Sequence, residues 1–335
     1  MNTIEVSVIC QVYNHGKYLR KCLEGFVTQK TDFSFEIVIH DDKSTDDSAD
    51  IIREYEKRYP DLIVPIYEEE NQYSRKKMII RDIMLPLARG RLLAFCEGDD
   101  YWCDENKLQK QYEYMLSDHT CIMCTHNTLR HFLEGNKEDE LFNDWKGIHV
   151  LTEEDVFAEG KVHTSSKMIY KEYFEVPEFA TKYWFGDLVN LTWTFQMGKI
   201  VSLPDVMSVY NSGVEGGATD IALNSDPKTI EYKHNQLLQY YSEYNKETGY
   251  KYDKYISRRI KERKYAAELI RLDNMYDKCK TRREFRDCGN SARNDPVYHR
   301  MIQENMLIRP VMTIKIALKF RFPYLWSLIK HGRSL

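Results

Sequence analysis

The segment FCEGDDYW, residues 95–102, places three carboxylates, Glu97, Asp99 and Asp100, within four positions of one another. It directly follows an apolar run, and like charges at such close range repel one another more strongly as water is removed. A bound cation relieves this repulsion, and carboxylate oxygens are the ligands that Mg²⁺ and Mn²⁺ prefer in proteins. The segment therefore predicts a divalent metal site, with a fully solvated acidic loop as the alternative.

A second acidic turn, HDDKS at residues 40–44, also follows a run of apolar residues that is typical of a buried β-strand. From residue 4 to about residue 130, such strands alternate with segments whose apolar residues recur at helical spacing. The alternation predicts an α/β fold with a mostly parallel, Rossmann-like central sheet and helices on both faces. Because ligands of such sheets bind at the carboxyl ends of the strands, we expect both acidic turns to face one crevice.

Four further segments have patterns that predict their secondary structure. Helical spacing of apolar residues covers residues 75–89 and 185–198. Residues 161–171 have the composition of a single β-strand. Residues 199–211 predict an edge strand that Pro204 interrupts, because proline cannot donate a hydrogen bond to a neighbouring strand.

The charge of the chain is unevenly distributed. Residues 251–335 contain 21 Lys and Arg against 9 Asp and Glu, although the whole chain has a net charge of -4. The last stretch, residues 309–335, has six basic residues, no acidic residue and many apolar and aromatic side chains. This composition predicts a segment that lies in a membrane interface, with packing onto the rest of the protein as the alternative. Nucleic acid is the less favoured partner, because so apolar a segment is poorly suited to following phosphates.

The beginning of the chain and its cysteines bear on its compartment. The start, MNTIEVSVICQVYN, lacks the basic and apolar regions of a signal peptide, and no stretch has about 18 uninterrupted apolar residues to span a bilayer. The eight cysteines are scattered, which favours free thiols in a reducing compartment. The CIMCTH segment, residues 121–126, favours cysteines buried on a strand over a metal or redox site. We therefore expect a cytoplasmic protein, peripheral at most on the inner face of the plasma membrane.

Four segments, taken in order, resemble the family 2 glycosyltransferases with the GT-A fold. They are VSVICQVYNHGKYLRKCLEGFVTQ, FEIVIHDDKSTDDS, ARGRLLAFCEGDDYW and FGD. The resemblance covers roughly residues 4–220. It implies a GT-A domain over residues 1–220, with a nucleotide-binding half at 1–130 and an acceptor-side half at 131–220, followed by a helical region at 221–335.

The resemblance implies residues for a nucleotide-sugar donor. In the family, the second Asp of the turn after the second strand reads the uracil ring; here it is Asp42, which would accept the N3–H that cytosine lacks. Asp100 is implied as a ligand of Mn²⁺ or Mg²⁺, and Asp99 as a second ligand that also faces the ribose or phosphates. Glu97 stands where many relatives carry Asp. Contacts of the first strand with the nucleotide would come from Gln11, Val12, Tyr13 and Asn14.

Arg75, with the two lysines that follow it, has two interpretations that the sequence leaves open. The cations either steady the donor diphosphate or begin a solvated helix.

The resemblance also implies residues on the acceptor side. Gly186-Asp187 matches the short motif whose carboxylate is the general base, and Asp187 as a helix cap is the alternative. Trp102 would wall the crevice and stack on a sugar, or else pack in the core. His163 falls where relatives approach the acceptor or the metal, although a lone histidine is more often structural. The glycine-rich loop with Gly216 and Gly217 is similar to the loop that closes over the donor.

These features together predict a metal-dependent, inverting, non-processive glycosyltransferase that uses a UDP-sugar. Its acceptor would be a glycan or a lipid-linked sugar of the cell surface. The enzymatic alternative is a sugar-phosphate nucleotidyltransferase, but ICQVYNHGKY lacks the glycine-rich, phosphate-gripping segment of that class. The non-enzymatic alternative is an inactive nucleotide-sugar-binding protein, which the joint presence of Asp42, Asp99, Asp100 and Asp187 argues against.

Overall fold

A computed structural model describes residues 3–75, 77–133, 137–215, 217, 227–295, 298–299, 302–303 and 310–330. The chain divides into two compact units, Met1–Ser225 and Asp226–Leu335. Within the described ranges, no helix is both long and apolar enough to span a lipid bilayer.

The first unit is an α/β structure built on one large sheet. Its strands are β1 (Ile4–Val12), β2 (Ser34–Asp41), β3 (Ile63–Tyr67), β4 (Leu92–Phe95), β5 (Tyr101–Trp102), β6 (Cys121–Phe132), β7 (Glu140–Leu141), β8 (His149–Val150), β9 (Met168–Tyr170) and β10 (Lys199–Ser212). Its helices are α1 (Gly16–Val27), α2 (Ser48–Arg58), α3 (Lys107–Ser117), α4 (Glu153–Phe157) and α5 (Gly186–Met197).

The sheet has the strand order β3-β2-β1-β4-β9-β6-β10-β5, with β7 beside β6 and β8 beside β10. The long pairings β1–β2, β1–β4, β2–β3 and β6–β10 are parallel, whereas the short strands β5, β7, β8 and β9 pair antiparallel. The mostly parallel central sheet that the sequence predicts is therefore confirmed.

Apolar side chains cover both faces of the sheet, because successive side chains of a strand point to opposite faces. Val8 and Cys10 of β1 pack in one cluster with Leu23 of α1 and Leu108 of α3. Ile9, between them, packs in a second cluster that includes residues of α4 and α5. The strands are covered on both sides, which is why their sequences are nearly continuous in apolar residues.

Three local predictions need correction. The helix predicted over residues 75–89 is only a short π-helix, Ile80–Met84, in which Leu85 N–H donates to the Ile80 carbonyl at 2.8 Å. The next residue is Pro86, which has no N–H and cannot continue the turn. In contrast, the helix predicted over residues 185–198 is confirmed as α5.

The strand predicted over residues 161–171 is also wrong in its first half. Residues Thr164–Ser166 form a 3₁₀ turn, and only Met168–Tyr170 are a strand, β9. The Ser165 N–H donates to the His163 ring at 3.3 Å, and the Ser166 hydroxyl donates to the His163 carbonyl at 2.7 Å. These local bonds compete with strand pairing.

The predicted edge strand is not at an edge. β10 lies between β6 on one side and β5 and β8 on the other. Pro204 is accommodated because the pairing with β6 shifts its register between Leu203 and Val206, so that no ladder hydrogen bond is required of it there.

The second unit is helical. Its helices are α6 (Pro227–Glu247), α7 (Asp253–Asp277), α8 (Arg282–Arg293), α9 (Pro310–Arg321) and α10 (Pro323–Lys330). Three tyrosines of α6, Tyr240, Tyr241 and Tyr244, are fully buried. An apolar cluster within this unit packs α9 against the preceding helices, with Phe320 completely buried against Tyr276 and Phe285.

Candidate active site

The turns at the carboxyl ends of β1 and β2 are fastened to each other. Asn14 has a left-handed backbone with φ 58, a conformation that asparagine tolerates better than most residues. Its side-chain oxygen accepts from Thr45 N–H at 2.7 Å, and its own N–H donates to the Ser44 hydroxyl at 2.9 Å. The preceding residues Gln11 and Val12 belong to β1, with Val12 buried, and Tyr13 is exposed.

Asp42 is buried and holds the segment that follows β3. Its two carboxylate oxygens accept from the backbone N–H groups of Gln72 at 2.6 Å and Tyr73 at 3.0 Å. Arg75, a few residues further on, is exposed and its guanidinium pairs with Glu70. In this arrangement the Arg75 charge is already balanced by a neighbouring carboxylate.

The acidic segment after β4 turns sharply against β1. Gly98 N–H donates to the Gln11 carbonyl at 3.0 Å, and Asp100 N–H donates to the Glu97 carbonyl at 3.1 Å. A Cβ at position 98 would meet the His15 ring and the Val12 side chain at 2.9 Å each. Only glycine fits this close approach, which brings the carboxylates to the carboxyl end of β1.

The three carboxylates form a compact group. Glu97, Asp99 and Asp100 each offer an oxygen, and these oxygens all lie within 4.8 Å of one another. Asp100 is 1% exposed, and one of its oxygens accepts from Asn211 N–H of β10 at 3.0 Å. Its other oxygen, and Oδ1 of Asp99, are buried without a hydrogen-bond partner. Two such orphaned anionic oxygens in one group fit a divalent cation.

The charges in this group act on one another. Burial, Asp99 and Asp187 raise the pKa of Glu97 to about 8, although the residue keeps an exposed face. Burial and the charges of Asp99 and Glu97 raise the pKa of Asp100 well above its usual range. A raised pKa means that the protein disfavours the ionised form of a carboxyl group. A bound cation would stabilise that form.

Two imidazoles flank the carboxylates. His163 Nε2 lies 3.7 Å from Asp100 Oδ2, and His15 Nε2 lies 3.9 Å from Asp99 Oδ2. Burial, with Lys167 and Arg130 nearby, lowers the pKa of His163 to about 3, so that its ring is neutral at physiological pH. The His163 ring also meets the Ser165 hydroxyl at 2.8 Å.

Asp187 lies in the first turn of α5 and is exposed. Phe185, the residue before α5, makes no side-chain capping bond. The charge of Asp187 contributes to the raised pKa of Glu97. Gly186 begins the helix, with no atom within 4 Å of where its Cβ would be. Asp187 is thus exposed to solvent at the start of α5, and its charge acts on the acidic group.

Trp102 is buried in the core, which is the second of the two positions that the sequence leaves open for it. Its indole N–H donates to the Ser165 carbonyl at 3.1 Å, and its ring meets Phe26 edge-on at 4.6 Å between centroids. The Lys107 ammonium lies 4.0 Å from the ring centroid. Of the two loop glycines, Gly217 donates to the Val214 carbonyl at 2.9 Å, whereas Gly216 lies outside the described residues.

Three residues near the carboxylates were missed by sequence reasoning: His15, Lys167 and Asn211. Each reaches the group only through the tertiary fold, since Asn211 is 111 positions from the Asp100 that it contacts. A lysine inside the otherwise uncharged stretch HTSSKMIY was the one available signal.

Comparisons with known proteins agree with this architecture. The Staphylococcus aureus protein TarS, residues 1–349 in complex with UDP-GlcNAc, superposes with a TM-score of 0.59 at 16% identity, over 95% of this chain and 92% of that one. The mannosyltransferase PcManGT of Pyrobaculum calidifontis, in complex with GDP-Man and Mn²⁺, gives a TM-score of 0.53 at 15% identity, over 96% and 88% of the two chains. At such identities these similarities concern the fold.

Sequence comparisons go further. The family model described as Glycosyl transferase family 2 matches residues 7–161 of this chain. Rv1520 of Mycobacterium tuberculosis is 32% identical over 218 residues, which are 63% of this chain and 60% of that protein. TuaG of Bacillus subtilis, a putative teichuronic acid biosynthesis glycosyltransferase, is 37% identical over 111 residues, 33% of this chain and 42% of its own.

A third relative is named for its substrates. WfaP of Escherichia coli, a UDP-Glc:alpha-D-GlcNAc-diphosphoundecaprenol beta-1,3-glucosyltransferase, is 34% identical over 113 residues. These residues are 34% of this chain and 42% of WfaP. The chain thus spans 60% or less of each of these three relatives.

Proposed function

We propose that this protein is a metal-dependent, inverting glycosyltransferase that moves a sugar from a UDP-sugar to a hydroxyl of a glycan or lipid-linked acceptor in cell-surface polysaccharide synthesis. The observation that carries the proposal is the acidic group, Glu97, Asp99 and Asp100, with its two orphaned buried oxygens beside the solvent-open Asp187. The match of residues 7–161 to the family 2 model and the similarity to TuaG and WfaP support the reaction class and the kind of acceptor. The catalytic part would be residues 1–220, as the sequence predicts.

The donor would bind at the carboxyl ends of β1, β2 and β4. Both oxygens of Asp42 accept backbone N–H groups, but a carboxylate oxygen has two lone pairs, so Asp42 keeps capacity for the N3–H of uracil. Tyr13 is exposed at the end of β1 and Asn14 is fixed by the neighbouring turn, so both are available to the nucleotide. Arg75 would be available to the diphosphate, because its pairing with Glu70 is exposed and such surface pairs are weak.

Asp99 and Asp100 would hold the cation, Mn²⁺ or Mg²⁺. When bound, it would supply Lewis-acid stabilisation of the leaving diphosphate. The imidazole rings of His15 and His163 lie within 4 Å of these carboxylates, at the border of the site.

Asp187 would act as the general base. Its carboxylate would accept the proton of the acceptor hydroxyl while that oxygen forms a bond to the anomeric carbon. The bond from the anomeric carbon to the diphosphate oxygen breaks, and its electron pair leaves with UDP. Attack from the face opposite the leaving group inverts the configuration at that carbon.

The C-terminal helices suggest that the acceptor is bound at a membrane surface. On α9 and α10, Ile316, Phe320 and Trp326 pack inside the second unit. A different set of apolar side chains from the same helices is exposed: Ile314, Leu318, Phe322, Tyr324 and Leu325.

The exposed basic residues Lys315 and Arg321 lie among these apolar side chains. Their positive charge complements a membrane that contains anionic lipid, with the apolar residues at headgroup depth. We name the exposed apolar and basic residues of 314–325 the C-terminal surface. We assign it a role as a peripheral anchor on the inner face of the plasma membrane.

A donor screen tests the proposal. The full chain is incubated with individual UDP-sugars and Mn²⁺, and binding is followed by calorimetry and UDP release by a coupled assay. We expect metal-dependent binding of at least one UDP-sugar and acceptor-stimulated release of UDP. Binding without any release, with every acceptor class tried, would favour the inactive binding protein instead. Formation of a nucleotide-sugar from a sugar phosphate and UTP would favour the nucleotidyltransferase.

A further inference from the structure

Lys167 is a buried cation at the edge of the candidate active site. It follows the 3₁₀ turn at Thr164–Ser166, directly precedes β9, and is 3% exposed. Its ammonium donates to the backbone carbonyl of Asp187 at 3.0 Å. That carbonyl lies in the first turn of α5, so the contact ties the residue carrying the general base to the central sheet.

The charges around Lys167 explain why it can be buried. Removing an ammonium group from water is unfavourable unless opposite charges and hydrogen bonds compensate. Burial accordingly lowers the pKa of Lys167, while Asp187 and Glu97 are the two charges that oppose this by favouring the protonated form. The effect is mutual, because Lys167 also opposes the rise in the pKa of Glu97.

The charges of two carboxylates with different proposed functions therefore act on Lys167. Glu97 belongs to the group that would hold the cation, and Asp187 would be the base on the acceptor side. These two carboxylates repel each other, as the effect of Asp187 on Glu97 shows. A cation near both reduces that repulsion, and its hydrogen bond fixes the start of α5.

We propose that Lys167 is a positioning residue for Asp187. It holds the first turn of α5 by its bond to the Asp187 carbonyl, and it screens the Asp187 carboxylate from Glu97. It transfers no proton and contacts no donor atom; the acceptor proton goes to Asp187. The proposal rests on the proposed function and adds a residue to its acceptor side.

Three substitutions of Lys167 separate its charge from its hydrogen bond. Lys167→Met removes both, Lys167→Gln keeps an N–H donor without the charge, and Lys167→Arg keeps the charge with a different shape. We expect Lys167→Met to lower kcat by about 10- to 100-fold, because misplacing a reacting group by about 1 Å has an effect of that size. We expect Lys167→Gln to be nearly as impaired and Lys167→Arg to recover part of the rate.

Binding distinguishes a positioning role from a general structural one. The KM for the UDP-sugar should change less than about twofold in the Lys167→Met protein. A fall in both kcat and donor affinity, together with a large drop in Tm, would show a structural role and overturn the proposal. If Lys167→Met does not fold, the same comparison is made with Lys167→Gln and Lys167→Arg.

Lys171 provides a matched control on the same stretch of chain. Its ammonium also donates to a backbone carbonyl, that of Ala88, at 2.6 Å, and it takes no part in the acidic group. Lys171→Met therefore removes a lysine–carbonyl bond of the same kind. We expect its kcat and its donor KM to match those of the unmodified protein.

A double variant tests whether Lys167 acts through Asp187. If it does, adding Lys167→Met to Asp187→Asn lowers kcat no further, because the base has already been lost. Multiplicative losses would contradict the proposal. An unmodified protein that transfers sugar and a Lys167→Met protein that transfers equally well would overturn this inference alone. An unmodified protein that binds no nucleotide-sugar would overturn the proposed function, and the inference with it.

Discussion

The acidic group of the first unit and the C-terminal surface of the second depart from ordinary protein structure in opposite ways. At the first, the carboxylates Asp99 and Asp100 are largely withdrawn from water, and each leaves a buried oxygen without a partner. At the second, large apolar side chains such as Leu318 and Phe322 remain exposed. Unpaired buried charge and clustered exposed apolar surface are each unfavourable, and each indicates a missing ligand.

The chemistry of the side chains in each of the two regions suggests the kind of ligand that is missing there. Converging carboxylates call for a small cation, whereas apolar side chains among lysines and arginines call for an anionic surface with an apolar interior. Elsewhere in the first unit comparable charges are satisfied within the protein. Asp118, for example, pairs with Lys199 at 2.5 Å, and the bond with Lys199 lowers the pKa of Asp118 to about 2.

The largest expected effect comes from breaking the acidic group. Asp100→Asn should lower sugar transfer by ~10³-fold or more and abolish the Mn²⁺ dependence of donor binding, because a buried anionic ligand is lost. Calorimetric titration of the UDP-sugar, with and without Mn²⁺, measures the binding. Asp104→Asn is the control on the same segment, since Asp104 already pairs with Lys110 at 2.8 Å. Metal-dependent binding that survives in the Asp100→Asn protein would show that the cation is held elsewhere.

The next effect separates binding from chemistry in the same crevice. Asp187→Asn keeps the size of the side chain and removes its basicity, so kcat should fall by about 10²- to 10⁴-fold. The affinity for the UDP-sugar and Mn²⁺ should stay the same, because Asp187 is not among the carboxylates assigned to the metal. Transfer at the normal rate would mean that another group takes the acceptor proton.

Much of this site follows from the sequence because its elements are local. Each strand and the acidic turn behind it are contiguous, and parallel topology then brings residues 42 and 100 to one edge of the sheet. The start of α5 at Gly186-Asp187 was predicted for the same reason. The sequence could not reveal how the turn is secured, because Asn211 reaches Asp100 only when β10 lies between β6 and β5.

Two other residues could not be placed from the sequence for similar physical reasons. Trp102 is two positions after Asp100, but the strand pairing of β5 with β10 and the underlying Phe26 turn it into the core. Lys167 lies in a stretch that was predicted to be a strand throughout. Its proposed role depends on its bond to the Asp187 carbonyl, 20 positions away, which no local pattern encodes.

A smaller effect tests the two faces of α9 and its junction with α10. Phe320 is completely buried, whereas Phe322 is 52% exposed two residues later. Phe320→Ala should lower the free energy of unfolding by about 3–5 kcal/mol, because it leaves a cavity among Tyr276, Phe285 and Tyr298. Phe322→Ala should change it by less than about 0.5 kcal/mol. Urea denaturation monitored by circular dichroism measures both, and equal losses would mean that Phe322 is also packed.

The smallest effect concerns the C-terminal surface itself. Phe322 is expected to contribute little to the free energy of unfolding. Its side chain is therefore available to enter a lipid headgroup layer together with Leu318. Burying each such side chain is worth about 1.5–3 kcal/mol, and a glutamate in its place also repels anionic lipid. Leu318→Glu with Phe322→Glu should therefore weaken binding to phosphatidylglycerol vesicles by at least about tenfold in a flotation assay, while transfer to a soluble acceptor is unchanged.

Two comparisons decide how this result is interpreted. Tyr232→Glu, at an exposed aromatic residue of α6, should leave flotation as it was, which separates the C-terminal surface from exposed aromatic residues in general. Vesicles of phosphatidylcholine alone should bind the unmodified protein weakly, because the positive charges of the C-terminal surface then have no anionic lipid to bind. Equal binding to both kinds of vesicle would mean that the basic residues of the C-terminal surface do not contribute to membrane binding. No binding to either would mean that the exposed apolar side chains of this surface bind a protein or a glycan and not a lipid.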